Sequence, residues 1–238
     1  MEQQVKVKIP IVFIPVYNDL ESLKLCIHSL FDTTRIPFHL LIIESGSTDG
    51  AKEYCDLLPK MYPKESIEII HTPKEGAVKA YNQAFKTSAE RKQDIYMTQT
   101  DVVHFRHTNR DWMEVFLRMR YLIKERLGCI TAGNAMGVSG SNYYPGVMWA
   151  GFWSVYIPWE TCEKIGGFDD KFEIGDGVDI DWSYRLWKEN LPVYISNIVV
   201  DHHHFTAHKN EDRKDLEDIK TRNGRYFRKK HKLGEFAE

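Results

Sequence analysis

The chain has 238 residues, 42% of them apolar and 13% aromatic, and its 32 Lys and Arg residues nearly balance its 34 Asp and Glu residues. This composition excludes an intrinsically disordered or fibrous protein. The length allows one domain with a full hydrophobic core, or at most one domain with an appendage.

The four cysteines are far apart in the sequence and form no Cys-x-x-Cys pair. They therefore predict neither a zinc ribbon nor a disulfide framework, and reduced thiols are typical of a cytoplasmic protein. The apolar stretch within residues 1–16 is too short to span a bilayer, and no signal-peptide cleavage pattern follows it. We therefore expect a cytoplasmic protein without a membrane anchor.

Apolar, β-rich runs in the first half of the chain predict buried strands that alternate with helices. The runs are PIVFIPV, FHLLIIE, IEIIHT and DIYMTQTD, and helical periodicity is found near residues 19–31, 49–58 and 76–87. Continuous apolar strands that alternate with helices are typical of a parallel sheet covered on both faces. The first half of the chain therefore predicts an α/β nucleotide-binding fold.

The first helix has the clearest pattern. Its apolar residues recur at the spacing of a single helix face from Leu20 to Leu30. Asn18 precedes this face and Glu21 follows three residues later, which is the spacing of a helix-capping pair. We therefore predict that Asn18 caps the helix.

The second half of the chain has a looser pattern. It predicts a helix near 110–127, a Gly- and Ser-rich loop at 133–146, a strand at 149–156, a helix beginning at Pro158, a helix near 180–190 and a strand ending at Val200. We predict a single domain over residues 1–238, composed of a nucleotide-binding half (1–105), an acceptor and catalytic half (106–208) and a basic helical tail (209–238).

Small and polar residues follow each of the first four predicted strands. The strand ends are IPVYND, IIESGSTDG, HTPKEGAVKAYN and MTQTDVVH. In open parallel sheets, ligands bind beyond the carboxyl ends of the strands. A carboxylate suits a ribose hydroxyl or a base edge, glycine allows close backbone approach, and helix N-termini suit phosphate. The four strand ends together predict a nucleotide site.

Motifs in the same order along most of the chain give this sequence a family resemblance. They are PVYND (15–19), ESGSTDG (44–50), GAVKAYNQA (76–84), QTD (99–101), GGFDDKF (166–172), VDIDWSYR (178–185) and HHH (202–204). In these motifs the chain resembles the nucleotide-sugar-dependent glycosyltransferases of family 2. The resemblance implies a GT-A fold, which is a Rossmann-like αβα sandwich with a mostly parallel central sheet and a C-terminal elaboration on the acceptor side.

The resemblance implies a donor site at the strand ends. Glu44, where the family usually has Asp, would accept hydrogen bonds from the uracil or the ribose of a sugar nucleotide. Pro15 and Tyr17 would line the base pocket. Gly76 and Asn82 would shape the nucleotide side of the site.

The resemblance also implies a divalent metal ion. The family usually has two acids one residue apart, and here Gln99 and Asp101 occupy these positions. One carboxylate, one amide and the donor diphosphate supply oxygen ligands for Mn²⁺ or Mg²⁺. A further ligand would come from the histidine cluster, with His202 favoured, and in an extended chain His204 points to the same side. The histidines also fit a zinc site or a plain surface cluster.

The VDIDW motif supplies the catalytic base that the resemblance implies. Alignment with the family pattern gives this role to Asp179, with Val178 in place of the usual Glu, and Asp176 is the alternative. An inverting transfer needs such a carboxylate to take the proton of the acceptor hydroxyl. Asp181 is expected to interact with the helix dipole, and Arg185 to pair with one of these acids.

Four aromatic residues precede the GGFDD motif, namely Trp149, Phe152, Trp153 and Tyr156. Flat aromatic faces suit sugar rings, but packing in the core is the more common role of such residues. The sequence leaves both interpretations open and favours the core.

The expected function is that of an inverting glycosyltransferase, which moves a sugar from a UDP- or dTDP-sugar to an acceptor hydroxyl on a glycan. A catalytically silent GT-A-like binding module is the alternative, and a sugar-phosphate nucleotidyltransferase is disfavoured because IPVYND lacks a basic, Gly-rich signature. The segment 220–232 carries seven Lys or Arg residues and no acid. It predicts a solvated basic helix or a contact with an anionic membrane surface. No nucleic-acid-reading motif is found, so we expect no nucleic-acid partner.

Overall fold

A mostly parallel β-sheet lies at the centre of the computed structural model, which describes residues 8–105, 111–123, 126–140, 143, 146–203 and 214–234. The described strands are β1 (Ile11–Val16), β2 (His39–Glu44), β3 (Ser66–His71), β4 (Ile95–Thr98), β5 (Val102–Val103), β6 (Cys129–Thr131), β7 (Met136–Val138), β8 (Met148–Ala150), β9 (Ser154–Ile157), β10 (Val193–Ile195) and β11 (Asp201–His202).

The strand order places the predicted nucleotide-binding edge in the middle of the sheet. Within the described residues, seven strands pair in the order β10-β6-β9-β4-β1-β2-β3, and all except β9 run in the same direction. The chain leaves β1 toward β2 on one side and returns through β4 on the other, so the sheet has a topological switch point between β1 and β4. Ligands of open α/β sheets bind at such a point.

Helices cover both faces of this sheet. They are α1 (Leu20–Thr33), α2 (Ala51–Met61), α3 (Ala77–Arg91), α4 (Trp112–Ile123), α5 (Trp159–Ile165), α6 (Val178–Lys188) and α7 (Leu216–His231). Alternate residues of β1 point to opposite faces, so Phe13 packs in one core with α3 and α6 while Val12 and Ile14 pack in the other with α1 and α4. The predicted α/β fold class is confirmed.

The predicted cap of α1 is wrong by one residue. Asp19 is the N-cap, and its Oδ1 accepts a hydrogen bond from the hydroxyl of Ser22 (2.8 Å). Asn18 instead adopts a left-handed conformation with φ of 48°, and its Oδ1 accepts a hydrogen bond from the Thr48 amide (2.7 Å). Asn18 therefore joins the loops after β1 and β2 rather than capping the helix.

The strand predicted at 149–156 is two strands, β8 and β9, separated by a turn at 151–153. Gly151 allows this turn because the indole of Trp153 lies within 2.5 Å of the place where a Cβ of residue 151 would stand. The predicted loop at 133–146 contains β7, which pairs with β8. Neither feature has a periodicity signal, because each depends on contacts across the turn.

Helix α7 is packed onto the domain, although the sequence predicted a basic tail. Its buried residues are Ile219, Asn223, Gly224 and Phe227. The Phe227 ring contacts Tyr184 of α6, with ring centroids 5.3 Å apart. Among the described residues, no helix is both long enough and apolar enough to span a bilayer.

Candidate active site

The ends of β1, β2, β3 and β4 meet at one edge of the sheet, as predicted. The Asn18 amide donates to the hydroxyl of Ser47 (3.0 Å), which joins the first two loops. The Thr100 hydroxyl donates to Asp19 Oδ2 (2.6 Å), which joins the loop after β4 to the start of α1. These contacts fix the loops on both sides of the topological switch point.

Glu44 at the end of β2 is a buried carboxylate with 1% of its surface exposed. It accepts hydrogen bonds from the Ser47 amide (2.5 Å) and from His71 Nδ1 (2.9 Å). Burial alone would raise the pKa of Glu44, but the hydrogen bonds from Ser47 and His71 hold that pKa below its ordinary value. Glu44 is therefore an anion with a fixed orientation and not an ordinary surface carboxylate.

His71 at the end of β3 lies between two carboxylates. Its Nδ1 contacts Glu44 and its Nε2 contacts Asp56 Oδ1, each at 2.9 Å. A carboxylate only accepts, so both ring nitrogens carry hydrogen and the imidazole is cationic in this arrangement. The hydrogen bond with Glu44 is the main reason that the pKa of His71 is raised.

The other predicted donor residues lie along the same edge. Tyr17 is 39% exposed, and Lys74 Nζ lies 4.6 Å from the centre of its ring. Pro15 is half-buried at the penultimate position of β1. Gly76 precedes α3 with φ of 87°, a value that favours glycine, and it lines a small recess with Thr72.

Asn82 has a structural partner that the sequence did not indicate. Its Oδ1 accepts from the Phe168 amide (2.6 Å) and its Nδ2 donates to the Phe168 carbonyl (3.0 Å). Gly167 allows this contact, because a Cβ at residue 167 would overlap the Asn82 side chain. Asn82 therefore fixes the GGFDD motif on α3, and its predicted contact with the nucleotide stays a prediction.

Asp101 and His202 come together through the pairing of β5 with β11. Asp101 Oδ1 and His202 Nε2 are 3.5 Å apart, and the indole of Trp153 stacks on the imidazole with ring centroids 4.9 Å apart. Two neighbouring ligands of one cation, each about 2.1 Å from it, lie about 3.0–3.4 Å apart. The separation of Asp101 and His202 is slightly above this range, so a small closing movement would let the two side chains bind one cation.

The other two predicted metal-site residues, Gln99 and His204, are not seen beside Asp101 and His202 in the described structure. The Gln99 side chain donates through Nε2 to the Tyr81 hydroxyl (3.3 Å). His204 lies outside the described residues. Within the part of the chain that the structure describes, no three His, Cys, Asp or Glu side chains form a metal-binding cluster.

Asp179 is the second residue of α6, and Asp176 lies on the turn that leads into this helix. Gly177 is the N-cap of α6 with φ of 81°, and the Tyr143 ring occupies the space that its side chain would need. Burial, and then the nearby charge of Asp176, raise the pKa of Asp179 to about 6. The Tyr143 hydroxyl donates to Asp176 Oδ2.

The two halves of the site face each other across Tyr81. The charges of both Asp101 and Asp179 contribute to the raised pKa of the Tyr81 phenol, although its burial is the main cause. The hydroxyl of Tyr81 donates to the Phe152 carbonyl (3.3 Å). The carboxylates of the predicted metal ligand and of the predicted base are therefore both within electrostatic range of this buried phenol.

Asp181 lies in the first turn of α6, where the sequence predicted a carboxylate near the helix N-terminus, and it also takes part in an ion-pair cluster. Its carboxylate is fully buried and contacts Arg185 Nε (3.0 Å), Lys230 Nζ (2.7 Å) and His231 Nε2 (2.8 Å). The predicted ion pair of Arg185 is thus formed with Asp181. Because Lys230 and His231 belong to α7, this cluster attaches the C-terminal helix to α6.

The four aromatic residues before GGFDD divide into two groups. Phe152 and Tyr156 are buried in the core, as the sequence favoured. Trp149 and Trp153 are half-buried and contact each other edge to face, with ring centroids 5.6 Å apart. The contact of Trp153 with His202 places this pair beside the candidate metal ligands.

Sequence reasoning missed four residues that shape the site, namely His71, Tyr81, Tyr143 and Asn223. His71 and Tyr81 lie within the strand-end motif HTPKEGAVKAYN, so their position along the chain was a usable signal. Tyr143 lies in a predicted loop and Asn223 in a predicted tail. Nothing local in the sequence links these two residues to Asp176.

Comparison with known proteins supports the predicted family resemblance. Residues 11–102 match the family model described as Glycosyl transferase family 2. Over 77 residues the chain is 30% identical to the uncharacterized glycosyltransferase YibD of Escherichia coli (strain K12), and this match covers 32% of the chain and 22% of YibD.

Solved structures share the fold over most of the described chain. A mannosyltransferase, PcManGT, from Pyrobaculum calidifontis in complex with GDP-Man and Mn²⁺ superposes with a TM-score of 0.63 at 13% identity, covering 99% of this chain and 70% of that chain. GalNAc-T7 with UDP, GalNAc and Mn²⁺ superposes with a TM-score of 0.64 at 13% identity, covering 80% and 43%. The predicted resemblance is therefore confirmed: residues 11–102 carry the match to family 2 glycosyltransferases, and the chain has the GT-A fold.

Proposed function

We propose that this chain is an inverting glycosyltransferase that moves a sugar from a UDP- or dTDP-sugar to an acceptor hydroxyl on a glycan. The observation that supports the proposal most is that the charges of Asp101 and Asp179 both act on the buried Tyr81 phenol. One carboxylate follows β4 and the other lies in the first turn of α6. A sugar held between them would have its leaving diphosphate near Asp101 and its anomeric carbon open to attack from the side of Asp179.

In this mechanism Asp179 takes the proton of the acceptor hydroxyl. The acceptor oxygen forms a bond to the anomeric carbon while the bond from that carbon to the diphosphate breaks, and the nucleoside diphosphate leaves with the electron pair. A carboxyl group with a pKa of about 6 is ionised at neutral pH, yet it is a stronger base than an ordinary aspartate. Asp176 would contribute through its charge, which raises the pKa of Asp179.

Asp101 and His202 would hold a divalent cation, and the donor diphosphate would supply further ligands. Such a cation neutralises the charge that develops on the leaving diphosphate. The imidazole of His202 favours Mn²⁺ over Mg²⁺. The solved complexes of PcManGT and GalNAc-T7 both contain Mn²⁺, which supports this choice.

Glu44 is proposed to recognise the base or ribose of the donor. An anionic acceptor matches the N3–H group that uracil and thymine share, and cytosine lacks this hydrogen. The side chain of Tyr17 is exposed beside Lys74 and would cover the base. We therefore expect UDP- and dTDP-sugars to bind more tightly than CDP-sugars.

The two halves of the chain are proposed to act as one unit, with 1–105 binding the donor and 106–208 receiving the acceptor. The segment 220–232 lies almost entirely in α7, where Arg225, Lys229 and Lys232 are exposed on the side away from the domain. These residues would face an anionic membrane surface if the acceptor is carried on lipid.

A thermal-shift and turnover screen tests the proposal. UDP, dTDP, GDP and CDP, and then UDP-glucose, UDP-GlcNAc, dTDP-glucose and GDP-mannose, are added with Mn²⁺, with Mg²⁺ or with EDTA. Ligands that bind the native state raise Tm. The proposal expects a UDP- or dTDP-selective, Mn²⁺-dependent shift, together with release of the nucleoside diphosphate from the sugar nucleotide. Binding without any turnover, with water or glycan mixtures as acceptor, would favour the silent binding module.

A further inference from the structure

A buried asparagine of α7 holds the turn that leads to the proposed base. Asn223 is 1% exposed, and its Oδ1 accepts a hydrogen bond from the Glu173 amide (2.9 Å). Its Nδ2 donates to the carbonyl oxygens of Glu173 and Asp176, each at 3.1 Å. Both hydrogens of the amide are thus used on one short turn, which ends three residues before Asp179.

The turn held by Asn223 contains a strained residue. Ile174 has φ of 52° and ψ of 10°, the left-handed region that a β-branched side chain rarely adopts. Such conformations persist when the surrounding contacts over-determine them, and they concentrate at functional sites. Asn223 binds the backbone directly before and two residues after Ile174, so it opposes relaxation of the strained residue.

The same turn reaches both sides of the proposed active site. Gly175 packs against the first turn of α3. A Cβ added at residue 175 would lie 3.2 Å from Val78 Cγ2, two residues after the predicted donor residue Gly76. At the other end the turn carries Asp176, whose charge contributes to the raised pKa of Asp179. A shift of the turn would therefore move a carboxylate relative to the base.

We propose that Asn223 is a positioning residue for transfer: it holds the 173–176 turn in its strained form so that Asp176 and Asp179 face the donor. This proposal rests on the function proposed above. The C-terminal helix is thus part of the catalytic half of the protein, although no residue of α7 contacts Asp179 in the described structure.

Other contacts hold α7 in place without Asn223. Lys230 binds both Asp169 (2.8 Å) and Asp181 (2.7 Å), and the Tyr226 hydroxyl donates to Asp169 (2.7 Å). Removal of the Asn223 amide should therefore release the turn while the helix stays attached. Tyr226→Phe is a matched control, because it removes one hydrogen bond between α7 and the domain and does not touch the turn.

The test compares Asn223→Ala and Asn223→Asp with Tyr226→Phe, measuring turnover of UDP-glucose and UDP-GlcNAc, UDP affinity and Tm. A misplaced catalytic group costs up to about 10²-fold in rate. We expect kcat to fall on the order of tenfold to 10²-fold in both Asn223 variants, with UDP affinity within about twofold of wild type. Tyr226→Phe should keep its kcat. If Asn223→Ala does not fold, Asn223→Asp retains the Oδ1 contact with Glu173 and gives the same measurement.

The pH profile separates positioning from mere stabilisation. The titratable groups facing Asp179 in the described structure are Asp176, Tyr81 and Tyr143. When the turn relaxes, Asp179 becomes less buried and more distant from the charge of Asp176. The acid limb of kcat should therefore move to lower pH in Asn223→Ala, whereas a purely destabilised protein would keep the wild-type limb.

A rescue experiment tests the link to strain. Asn adopts the left-handed region far more readily than a β-branched residue, so Ile174→Asn should restore kcat of Asn223→Ala to within about threefold of wild type. Ile174→Val keeps the β-branch and should not rescue. An unchanged kcat in both Asn223 variants, or equal rescue by Val and Asn, overturns the proposal. A fully active Asp179→Asn protein would instead show that the proposed base itself is wrong.

Discussion

Glu44 on the donor side and Asp176 on the catalytic side differ in where their partners lie along the chain. Glu44 is held by residues 3 and 27 positions away, within two consecutive strand–helix units. Asp176 is held by Tyr143, 33 positions before it, and by Asn223, 47 positions after it. The loop around Glu44 is thus built by the local order of the fold, whereas the turn at Asp176 is built by elements that come together only in the tertiary structure.

This difference predicts that single substitutions separate donor binding from transfer. The largest expected effect is that of Asp179→Asn. Loss of a general base lowers the rate about 10²–10⁴-fold, and Asn cannot accept the proton. We expect kcat to fall by about 10³-fold with UDP affinity unchanged, as measured by UDP release and calorimetry. The wild-type rate should also fall below about pH 6, because the pKa of Asp179 is about 6.

Two controls complete this measurement. Asp170→Asn changes an exposed acid of the GGFDD motif and should leave kcat close to wild type. Near-normal turnover in Asp179→Asn would assign the base to Asp176 or to a residue outside the turn and helix α6.

A substitution of Asp181 should affect stability more than binding. This carboxylate is fully buried, so Asp181→Ala removes the anion shared by the half-buried Arg185 and Lys230 and by His231. Breaking a fully buried ion pair costs about 3–5 kcal/mol of the free energy of unfolding, and the partial exposure of Arg185 and Lys230 makes this value an upper bound. Urea unfolding measures this change, and exposed Asp218→Ala on α7 is the control. A loss below about 1 kcal/mol would mean that α7 does not depend on the cluster.

Low pH should also lower the free energy of unfolding, by less than Asp181→Ala does. Burial would raise the pKa of Asp181, but the hydrogen bonds from His231 and Lys230 hold it below its ordinary value. A depressed carboxyl pKa stabilises the fold above the pKa of the unfolded state, about 3.9, and the contribution is lost as pH falls through the lower folded value. The wild-type protein should thus lose more stability below about pH 4 than Asp181→Ala.

The sequence predicted the donor side better than the catalytic side for a physical reason. Strands β1, β2 and β4 are mostly apolar runs, and the residues after them necessarily meet at one edge of a parallel sheet. Glu44 and Asp101 could therefore be placed at the same edge of the sheet from the strand pattern. The burial of Glu44 by His71 was not predicted, because it depends on the register of β2 against β3.

The catalytic side was predicted only as motifs. Asp179 was predicted from the family resemblance. The strain at Ile174 and the hydrogen bonds from Asn223 to Glu173 and Asp176 depend on where α7 lies, and helix packing leaves no local sequence pattern. The basic composition of 220–232 suggested a solvated surface. In the structure Lys230 binds Asp169 and Asp181, while Arg222 pairs with the half-exposed Glu173 at 2.7 Å. Much of the charge on this segment therefore serves internal contacts.

On the donor side, Asp101→Ala should weaken the binding of UDP and should not affect the step in which the acceptor hydroxyl loses its proton. Asp101 and His202 lie 3.5 Å apart and fit one cation, so loss of the carboxylate removes half of the protein ligands. We expect about 10²-fold weaker UDP affinity in the presence of Mn²⁺ and little change in EDTA, as measured by calorimetry. Asp201→Ala, a neighbouring exposed acid, is the control. UDP affinity that is unchanged and independent of Mn²⁺ in Asp101→Ala would remove its role as a ligand.

The smallest expected effect concerns His71, the counter-ion of Glu44. Its pKa is raised by the hydrogen bond with Glu44, so its contribution to stability is complete below the unfolded pKa of about 6.5 and is lost as pH rises through the higher folded value. The imidazole is partly exposed, with 36% of its side chain accessible, so solvent screening limits the effect to less than about 1 kcal/mol. Wild type should therefore lose slightly more Tm between pH 6 and pH 8.5 than His71→Asn. Identical pH profiles in the two proteins would mean that Glu44 keeps its orientation through Ser47 alone, and that the donor side is even more local than its contacts indicate.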